Sequence, residues 1–333
     1  MKHASESVYP LPSEDFCNWL AGVTDGDGSF SFSVNKKRNS IWNCTFKIAQ
    51  STYNCRLLYF IKENLQYGGV NKRAGKNMAE FRIRDRKILI HLVVPLFTRY
   101  PLYSTKHFYF LRWVKALQVL ESKKWTTAEK NEILTKLKSQ LPSDTYVSSA
   151  WERDSPSNEW VYGFVEAEAS LFITCKGSYH QSSTNLLPSM VQIGDTTQTN
   201  GVVNRHLVTT NYKTASSTVN GLKIVKSLNI ATDFVKKERL VHAFGVTQKL
   251  DKIILEFLRT KFHISSKVLH TKRNIYKLET TNSRSILRIK TFLFKKLKGV
   301  KSLEYKIWSR SLNFKGNIGN LLKAQSLLRK IKT

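Results

Sequence analysis

The chain contains the stretch FCNWLAGVTDGDGSFSFSV at Phe16–Val34 and a second copy of its pattern, NEWVYGFVEAEASLFITC, at Asn158–Cys175. In each copy an apolar run is followed by two acids separated by one small residue, and then by an alternation of period two that predicts a strand. The last acids of the two copies are Asp27 and Glu168. A pattern that recurs in this way predicts two related halves.

The repeat extends over nearly the whole chain. KIAQS around Gln50 is echoed by GVTQK around Gln248, and STKHFYF around Lys106 by GVKSLEY around Lys301. The spacing between equivalent positions grows from 141 residues at the acids to 198 at the glutamines. The second half therefore carries an insertion, for which the Ser-, Thr-, Asn- and Gly-rich residues 177–236 fit a loop or hairpin. We predict a first repeat over 1–145 and a second over 146–333.

Each half has the predicted element order α-β-β-α-β-β-α, which gives an α+β fold class. The opening helix is predicted from Glu14 to Asp25, with Ser13 as its N-cap. Gly22 and Gly163 occupy matching positions in the two apolar runs. Because glycine has no side chain, the two helices can pack with their backbones close together.

The charge balance points to a nucleic acid partner. Lys and Arg number 54 against 24 Asp and Glu, which gives a formal net charge of +30. Such a surface repels itself unless it meets a polyanion, and each phosphate that it neutralises releases counterions. No run of 18 apolar residues occurs, so neither a transmembrane helix nor a membrane partner is expected. The four cysteines lack the spacing of a zinc site or a disulfide framework.

Close packing of the two helices would bring Asp27 and Glu168 side by side at two helix C-termini. Two carboxylates at such a place repel each other and the helix dipoles, and a divalent cation relieves the repulsion. Oxygen ligands with retained waters suit Mg²⁺, and two such ions can activate a water and stabilise the leaving oxygen of a phosphodiester. The alternative is that the acids only solvate a helix end.

The two copies carry a family resemblance. LAGVTDGDG (Leu20–Gly28) resembles the LAGLIDADG signature of homing endonucleases, and VYGFVEAEA (Val161–Ala169) resembles the weaker second copy of single-chain members. The resemblance implies two pseudo-symmetric αββαββα repeats, with the signature helices packed at the centre and antiparallel sheets that bind DNA. It departs at Ala169, where the signature has glycine, so we expect the second half to be set slightly differently at this junction.

The same resemblance implies residue roles. Asp27 and Glu168 would bind the catalytic metal, whereas Asp25 and Glu166 would structure the helix ends. Polar residues beside the metal-bound water and lysines near the scissile phosphates would complete the catalytic set, and these are Gln50, Gln248, Lys106 and Lys301.

Strand alternation predicts a polar, basic outer face on the first sheet, suited to the major groove of DNA. Its members are Ser29, Ser31, Ser33, Asn35, Asn43, Thr45, Lys47, Asn71, Arg73, Arg82 and Arg84. In the second half the outward positions include Phe172, Val241, Ala243, Gly245 and Thr247. Either the register there is shifted by one, or that half reads bases weakly. Lys176, Lys272, Arg273 and Lys277 would then supply mainly phosphate contacts.

These observations predict a monomeric, Mg²⁺-dependent endonuclease that cuts double-stranded DNA at a long asymmetric site. The alternative is a maturase that binds intron RNA and assists its splicing, with or without DNA cleavage, and a third hypothesis is a DNA-binding protein without catalysis. Members of the family are often encoded in organellar introns, so we expect an organellar protein, in a mitochondrion rather than a chloroplast.

Overall fold

The computed structural model describes residues 9–35, 41–73, 75–181, 218–219, 222–223 and 234–331. Contacts divide the chain into a main unit, residues 1–174 and 240–333, and a second unit, residues 175–239. The second unit contains the end of one strand and the start of another, and between them a short hairpin of β6 (Thr218–Val219) and β7 (Leu222–Lys223). The predicted insertion at 177–236 lies mostly outside the described residues.

The first half of the main unit has the predicted order of elements. Helix α1 (Glu14–Asp27) begins at Ser13, whose side chain accepts a hydrogen bond from the Phe16 backbone N–H, and it ends two residues later than expected, at Asp27. The following elements are β1 (Gly28–Asn35), β2 (Ile41–Ser51), α2 (Cys55–Leu65), β3 (Gly69–Lys72), β4 (Met78–Ile83), α3 (Arg86–Ile88), a π turn (Leu89–Val93), α4 (Val94–Arg99), α5 (Lys106–Glu121), α6 (Thr127–Ser139) and α7 (Ala150–Arg153).

The second half repeats this order. Its elements are α8 (Asn158–Glu168), β5 (Ala169–Gln181), β8 (Phe234–Lys249), α9 (Lys252–Lys261), β9 (Leu269–Thr271), β10 (Ile275–Thr280), α10 (Ser283–Leu293) and α11 (Lys301–Ser311), followed by α12 (Ile318–Lys330). Helix α12 packs through Leu321, Ala324 and Leu328, which are buried. None of the helices in the described ranges is both long and apolar enough to cross a membrane.

Two four-stranded sheets have the same strand plan, β1-β2-β4-β3 in the first half and β5-β8-β10-β9 in the second. The first sheet has the predicted register, since Ser29 lies opposite Lys47 and Lys47 opposite Arg82. Phe30, Phe46 and Phe81, on the other face, are buried in the core.

The register of the second sheet is also as predicted. Phe244 and Val246 belong to the core. Gly245, between them, is oriented toward the other face of the sheet. A Cβ added to Gly245 would lie 3.3 Å from Phe172 Cε1, so the Phe172 ring covers this position. The apolar character of this outer face is therefore a property of the second sheet and not the result of a shifted register.

Helices α1 and α8 pack against each other at the centre of the main unit, as the predicted fold class requires. A Cβ on Gly22 would lie 2.0 Å from the Trp160 carbonyl oxygen, and a Cβ on Gly163 would lie 1.9 Å from that of Trp19. The two backbones thus touch directly, and this contact brings the C-terminal ends of the helices together.

Candidate functional site

Asp27 and Glu168 are the last residues of the two central helices and lie next to each other. At the adjacent Gly26, an added Cβ would be 3.3 Å from Glu168 Oε1. Burial, followed by the charge of Glu168, raises the pKa of Asp27 to about 7. Burial also raises the pKa of Glu168. The site therefore holds two carboxylates whose ionised forms are disfavoured unless a positive charge lies nearby.

Each acid has the predicted glutamine as its partner. The Gln50 Nε2 group donates to Asp27 Oδ2. A hydrogen bond from the Gln248 side chain to Glu168 lowers the pKa of that acid and partly offsets the effect of burial. The ends of β2 and β8 thus place an amide against each carboxylate.

The two predicted lysines begin helices α5 and α11. Lys106 Nζ donates to the Gly28 carbonyl oxygen at 2.5 Å, and Lys301 Nζ donates to the Ala169 carbonyl oxygen at 2.6 Å. Their charges lower the pKa of both Asp27 and Glu168. Each ammonium group is therefore fixed at the junction that follows one of the two acids.

The earlier signature acids, Asp25 and Glu166, bind the backbone just before the lysine-bearing helices. Asp25 accepts from the backbone N–H groups of Tyr103 and Ser104 at 2.8 and 3.0 Å. Glu166 accepts from those of Lys298 and Gly299 at 2.7 and 3.1 Å. These four residues precede helices α5 and α11, which begin at Lys106 and Lys301. Both acids therefore fix the segments that lead into the lysine-bearing helices, whereas the expected role concerned the ends of their own helices.

Gly28 and Ala169 are the matching residues that follow the two signature helices. Gly28 has φ −74° and ψ 158°, and Ala169 has φ −80° and ψ 152°. This extended conformation is open to any residue, so the backbone torsions do not require glycine. An added Cβ at Gly28 would nevertheless lie 2.6 Å from the Thr24 carbonyl oxygen, so the first junction has no room for the methyl group that Ala169 places in the second. The two junctions therefore share a backbone conformation but differ in local packing.

Two buried polar residues that sequence reasoning missed tie the halves to each other. Asn54 of the first half accepts from the Val300 backbone N–H at 2.9 Å. Asp251 of the second half accepts from the Thr105 backbone N–H at 2.7 Å and from its hydroxyl at 3.0 Å. Each follows its glutamine-bearing strand by a few residues, and each binds the residue that precedes Lys106 or Lys301. Their matching positions in the two repeats could have identified them in the sequence.

Asn54 also orients the catalytic candidate of its own half. Its Nδ2 group donates to Gln50 Oε1 at 3.0 Å. Because that amide oxygen is occupied, the Gln50 Nε2 group is the end that faces Asp27. The carboxyl group of Asp251 has no N–H to donate, so it cannot orient Gln248 in this way.

A cleft of about 340 Å³ opens beside part of this site. Its lining includes Lys106, Glu168, Gln248 and Asp251. Within the described ranges no group of three or more His, Cys, Asp or Glu side chains is placed to hold a metal ion. The donor set at this position is two carboxylates, which fits a hard cation that keeps several waters.

Asn54 and Asp251 occupy matching positions before α2 and α9, but only Asp251 can be ionised, and this difference leads to a prediction about pH. Burial raises the pKa of Asp251 from 3.8 to about 7. The folded state therefore holds the Asp251 proton more tightly than the unfolded state, and stability is lost as the pH rises from the unfolded to the folded pKa. We expect the stability advantage of Asp251→Asn over the wild type to grow as the pH rises from 3.8 to about 7 and then to level off, as measured by urea unfolding without divalent ions.

The matched control is Asn54→Asp, which places an acid at the equivalent position of the first half. Its stability should fall more steeply with pH than that of the wild type, because the new carboxyl group is also buried. Identical pH dependence in all three proteins would contradict the assignment of a protonated, buried Asp251.

The outer face of the first sheet contains one acid among its cations, again missed from the sequence. Glu80 accepts from Arg73 Nη2 at 2.7 Å and from Arg82 Nη2. Burial, followed by the charges of Arg73 and Arg82, lowers the pKa of Lys47. Exposed or half-buried members of the predicted set are Ser29, Ser31, Ser33, Asn43, Thr45, Lys47, Asn71, Arg73, Arg82 and Arg84, and the Asn35 side chain lies outside the described residues.

The outer face of the second sheet has fewer free cations. Lys277 pairs with Glu279 at 2.5 Å. Lys176 and Arg273 are exposed, and the Lys272 side chain lies outside the described residues. Arg273 has φ 65°, in the left-handed region, at the turn before β10. Lys277 is the third residue of β10 and lies opposite Thr247 of β8.

The chain is similar to proteins of known family. The sequence profile described as LAGLIDADG endonuclease matches residues 20–117. The probable intron-encoded endonuclease Cox1-I1b of Schizosaccharomyces pombe is 30% identical over 95% of this chain, which spans 69% of that protein. The probable intron-encoded endonuclease 4 of Neurospora crassa is 28% identical over 54% of this chain and 28% of its own length.

Solved structures share the fold. The LAGLIDADG meganuclease I-AabMI, solved bound to uncleaved DNA, has a TM-score of 0.63 and 19% identity, with 95% of this chain and 97% of that chain covered. The meganuclease I-CpaMI, also bound to uncleaved DNA, has a TM-score of 0.62 and 20% identity over 95% and 97% of the two chains. The signature helices, the repeated sheets and the relative that aligns with 95% of this chain together show that the chain belongs to the LAGLIDADG endonuclease family.

Proposed function

We propose that the protein is a homing endonuclease that hydrolyses phosphodiester bonds of double-stranded DNA at one long, asymmetric site, with the help of a divalent metal ion. The observation that carries this proposal is the pairing of Asp27 and Glu168 at the ends of two touching helices, with a lysine fixed beside each. The similarity to intron-encoded endonucleases supports it.

Asp27 and Glu168 would hold the metal, for which Mg²⁺ fits the two-carboxylate donor set. When bound, such an ion polarises a water and stabilises a leaving oxygen. Gln50 and Gln248 keep the two carboxylates oriented, since each amide bonds to one acid. Lys106 and Lys301 add fixed positive charge where a phosphate gains negative charge during hydrolysis.

One chain would suffice for both strands, because each half supplies one acid, one glutamine and one lysine. We therefore propose a monomer with repeats at 1–145 and 146–333. The net charge of +30 supplies the attraction to a polyanion. We place the protein in the mitochondrion, since one relative, from Saccharomyces cerevisiae, is named a mitochondrial protein.

The test is a cleavage assay on the intronless sequence of the host gene, with Mg²⁺ or with EDTA. We expect a double-strand break at one position with Mg²⁺ and intact DNA with EDTA. Binding to the intron RNA without any DNA cleavage would contradict the proposal and favour the maturase alternative.

The two sheets should contribute unequally to base recognition. The first presents Arg73, Arg82 and Lys47 on its outer face, whereas the second presents Gly245 under Phe172. A bidentate contact with a purine edge discriminates between bases by about 1–3 kcal/mol, and small apolar groups cannot pair with guanine. When each half-site is randomised in turn, the half-site of the first repeat should give the narrower set of cleavable sequences. Equal stringency would contradict the asymmetry.

A further inference from the structure

Glu80 lies on the outer face of the first sheet but is almost fully buried. It alternates with core residues along β4 and lies opposite Asn71 on one side and Ala49 on the other. Only 3% of its surface is exposed, because the guanidinium groups of Arg73 and Arg82 lie over its carboxylate. An acid in the middle of a face proposed to meet phosphates and bases is costly unless it has a local purpose.

Its two partners, Arg73 and Arg82, are arginines of the outer face that we propose to read bases. A guanidinium has five N–H donors in a planar fork, so the Nη2 contact with Glu80 leaves the Nη1 group of each arginine for a base edge, although the Nε atom of Arg82 is buried. Holding the fork in place before binding avoids the entropy cost of ordering a long side chain in the complex. The negative charge also offsets repulsion among Lys47, Arg73 and Arg82, since burial, followed by the charges of the two arginines, lowers the pKa of Lys47.

The second sheet has no equivalent clamp in its described part. On β10 the Lys277–Glu279 pair joins one cation to one acid, and both side chains are far more exposed, at 46% and 31%. The side chain of Glu80 is 5% exposed and has two cations. The two-arginine clamp is therefore a feature of the half expected to read bases.

We infer that Glu80 is a positioning residue for specificity: it holds Arg73 and Arg82 in the orientation that reads purine edges in the half-site of the first repeat. This inference rests on the proposed function. Without Glu80 the two arginines would still attract DNA, but they would bind phosphates or several bases in place of a selected one.

The experiment measures the binding affinities of the wild type, Glu80→Gln and Glu279→Gln for duplexes in which one base pair at a time is randomised. The ratio of affinities between bases gives the discrimination at each position. Arg82→Ala and Arg73→Ala first identify the base pairs that each arginine reads. At those base pairs Glu80→Gln should reduce discrimination by roughly tenfold or more, whereas Glu279→Gln should not. Affinity for unrelated DNA should rise and depend more steeply on salt, because a negative charge is removed and two cations are released to phosphates.

A triple variant separates this effect from a structural one. If Glu80 acts through the arginines, adding Glu80→Gln to an Arg73→Ala/Arg82→Ala protein should change the base profile no further. A Glu80→Gln profile identical to that of the wild type, or a weakening that is uniform over all base pairs, would overturn the inference while leaving the proposed function intact. A wild type without any sequence preference would contradict the proposed function itself.

Discussion

Asp27→Asn and Glu168→Gln should each slow DNA cleavage by roughly 10³-fold or more, while DNA affinity stays close to that of the wild type. Each substitution keeps the size of the side chain but removes the negative charge that would attract a divalent ion. A neutral amide also lessens repulsion from the phosphates, so binding has no reason to weaken. Single-turnover cleavage and equilibrium binding, measured on the same duplex, separate the two effects.

The matched control is Asp15→Asn. Asp15 is exposed in the first turn of the same helix, at the opposite end from Asp27. Cleavage by this variant should equal that of the wild type. If either active-site variant cut DNA at a rate near that of the wild type, the assignment of Asp27 and Glu168 would be wrong. If both variants lost binding in parallel with cleavage, the carboxylates would have a role in holding the duplex instead.

Gly22→Ala and Gly163→Ala should each lower the free energy of unfolding by about 3 kcal/mol, near the upper end of what overpacking costs. The added methyl groups would lie 2.0 Å from the Trp160 oxygen and 1.9 Å from the Trp19 oxygen. Those atoms belong to backbone, so the helices themselves must move apart. Because this contact also sets the distance between Asp27 and Glu168, cleavage should fall together with stability.

Gly69→Ala provides the control for that effect. An added Cβ there would have only Asn71 Nδ2 nearby, at 3.8 Å, and the backbone is not in the left-handed region. Its stability should change by less than about 1 kcal/mol. Urea unfolding curves followed by tryptophan fluorescence provide the comparison. Equal stability of Gly22→Ala and Gly69→Ala would contradict the direct backbone contact between α1 and α8.

The local parts of this account could be predicted from the sequence because their causes are local. The signature helices follow from apolar spacing and a serine cap, and the sheet faces follow from alternation along single strands, as with Phe30 and Ser31. The candidate glutamines and lysines could be located because each appears twice at the same place in the repeat. Comparing the two repeats of one chain thus located these residues without an alignment of related sequences.

What the sequence did not reveal depends on contacts between distant segments. Asn54 and Asp251 each cap a helix start in the opposite half, which requires knowing how α1 and α8 cross. Asp25 was expected to serve its own helix, whereas its partners are Tyr103, Ser104 and, in the other half, Trp160. Glu80 alternates correctly for the outer face, but its burial arises from Arg73, on a neighbouring segment, as well as from Arg82.

The central claim is that two neighbouring carboxylates, one from each half, cut the two strands of one DNA duplex. The most direct test maps both cut positions at single-nucleotide resolution on the intronless host sequence, with Mg²⁺ and with EDTA. Because Asp27 and Glu168 lie side by side, we expect one cut in each strand, only a few base pairs apart, and none with EDTA. Cuts confined to one strand, cuts many base pairs apart, or cleavage that persists in EDTA would contradict the claim.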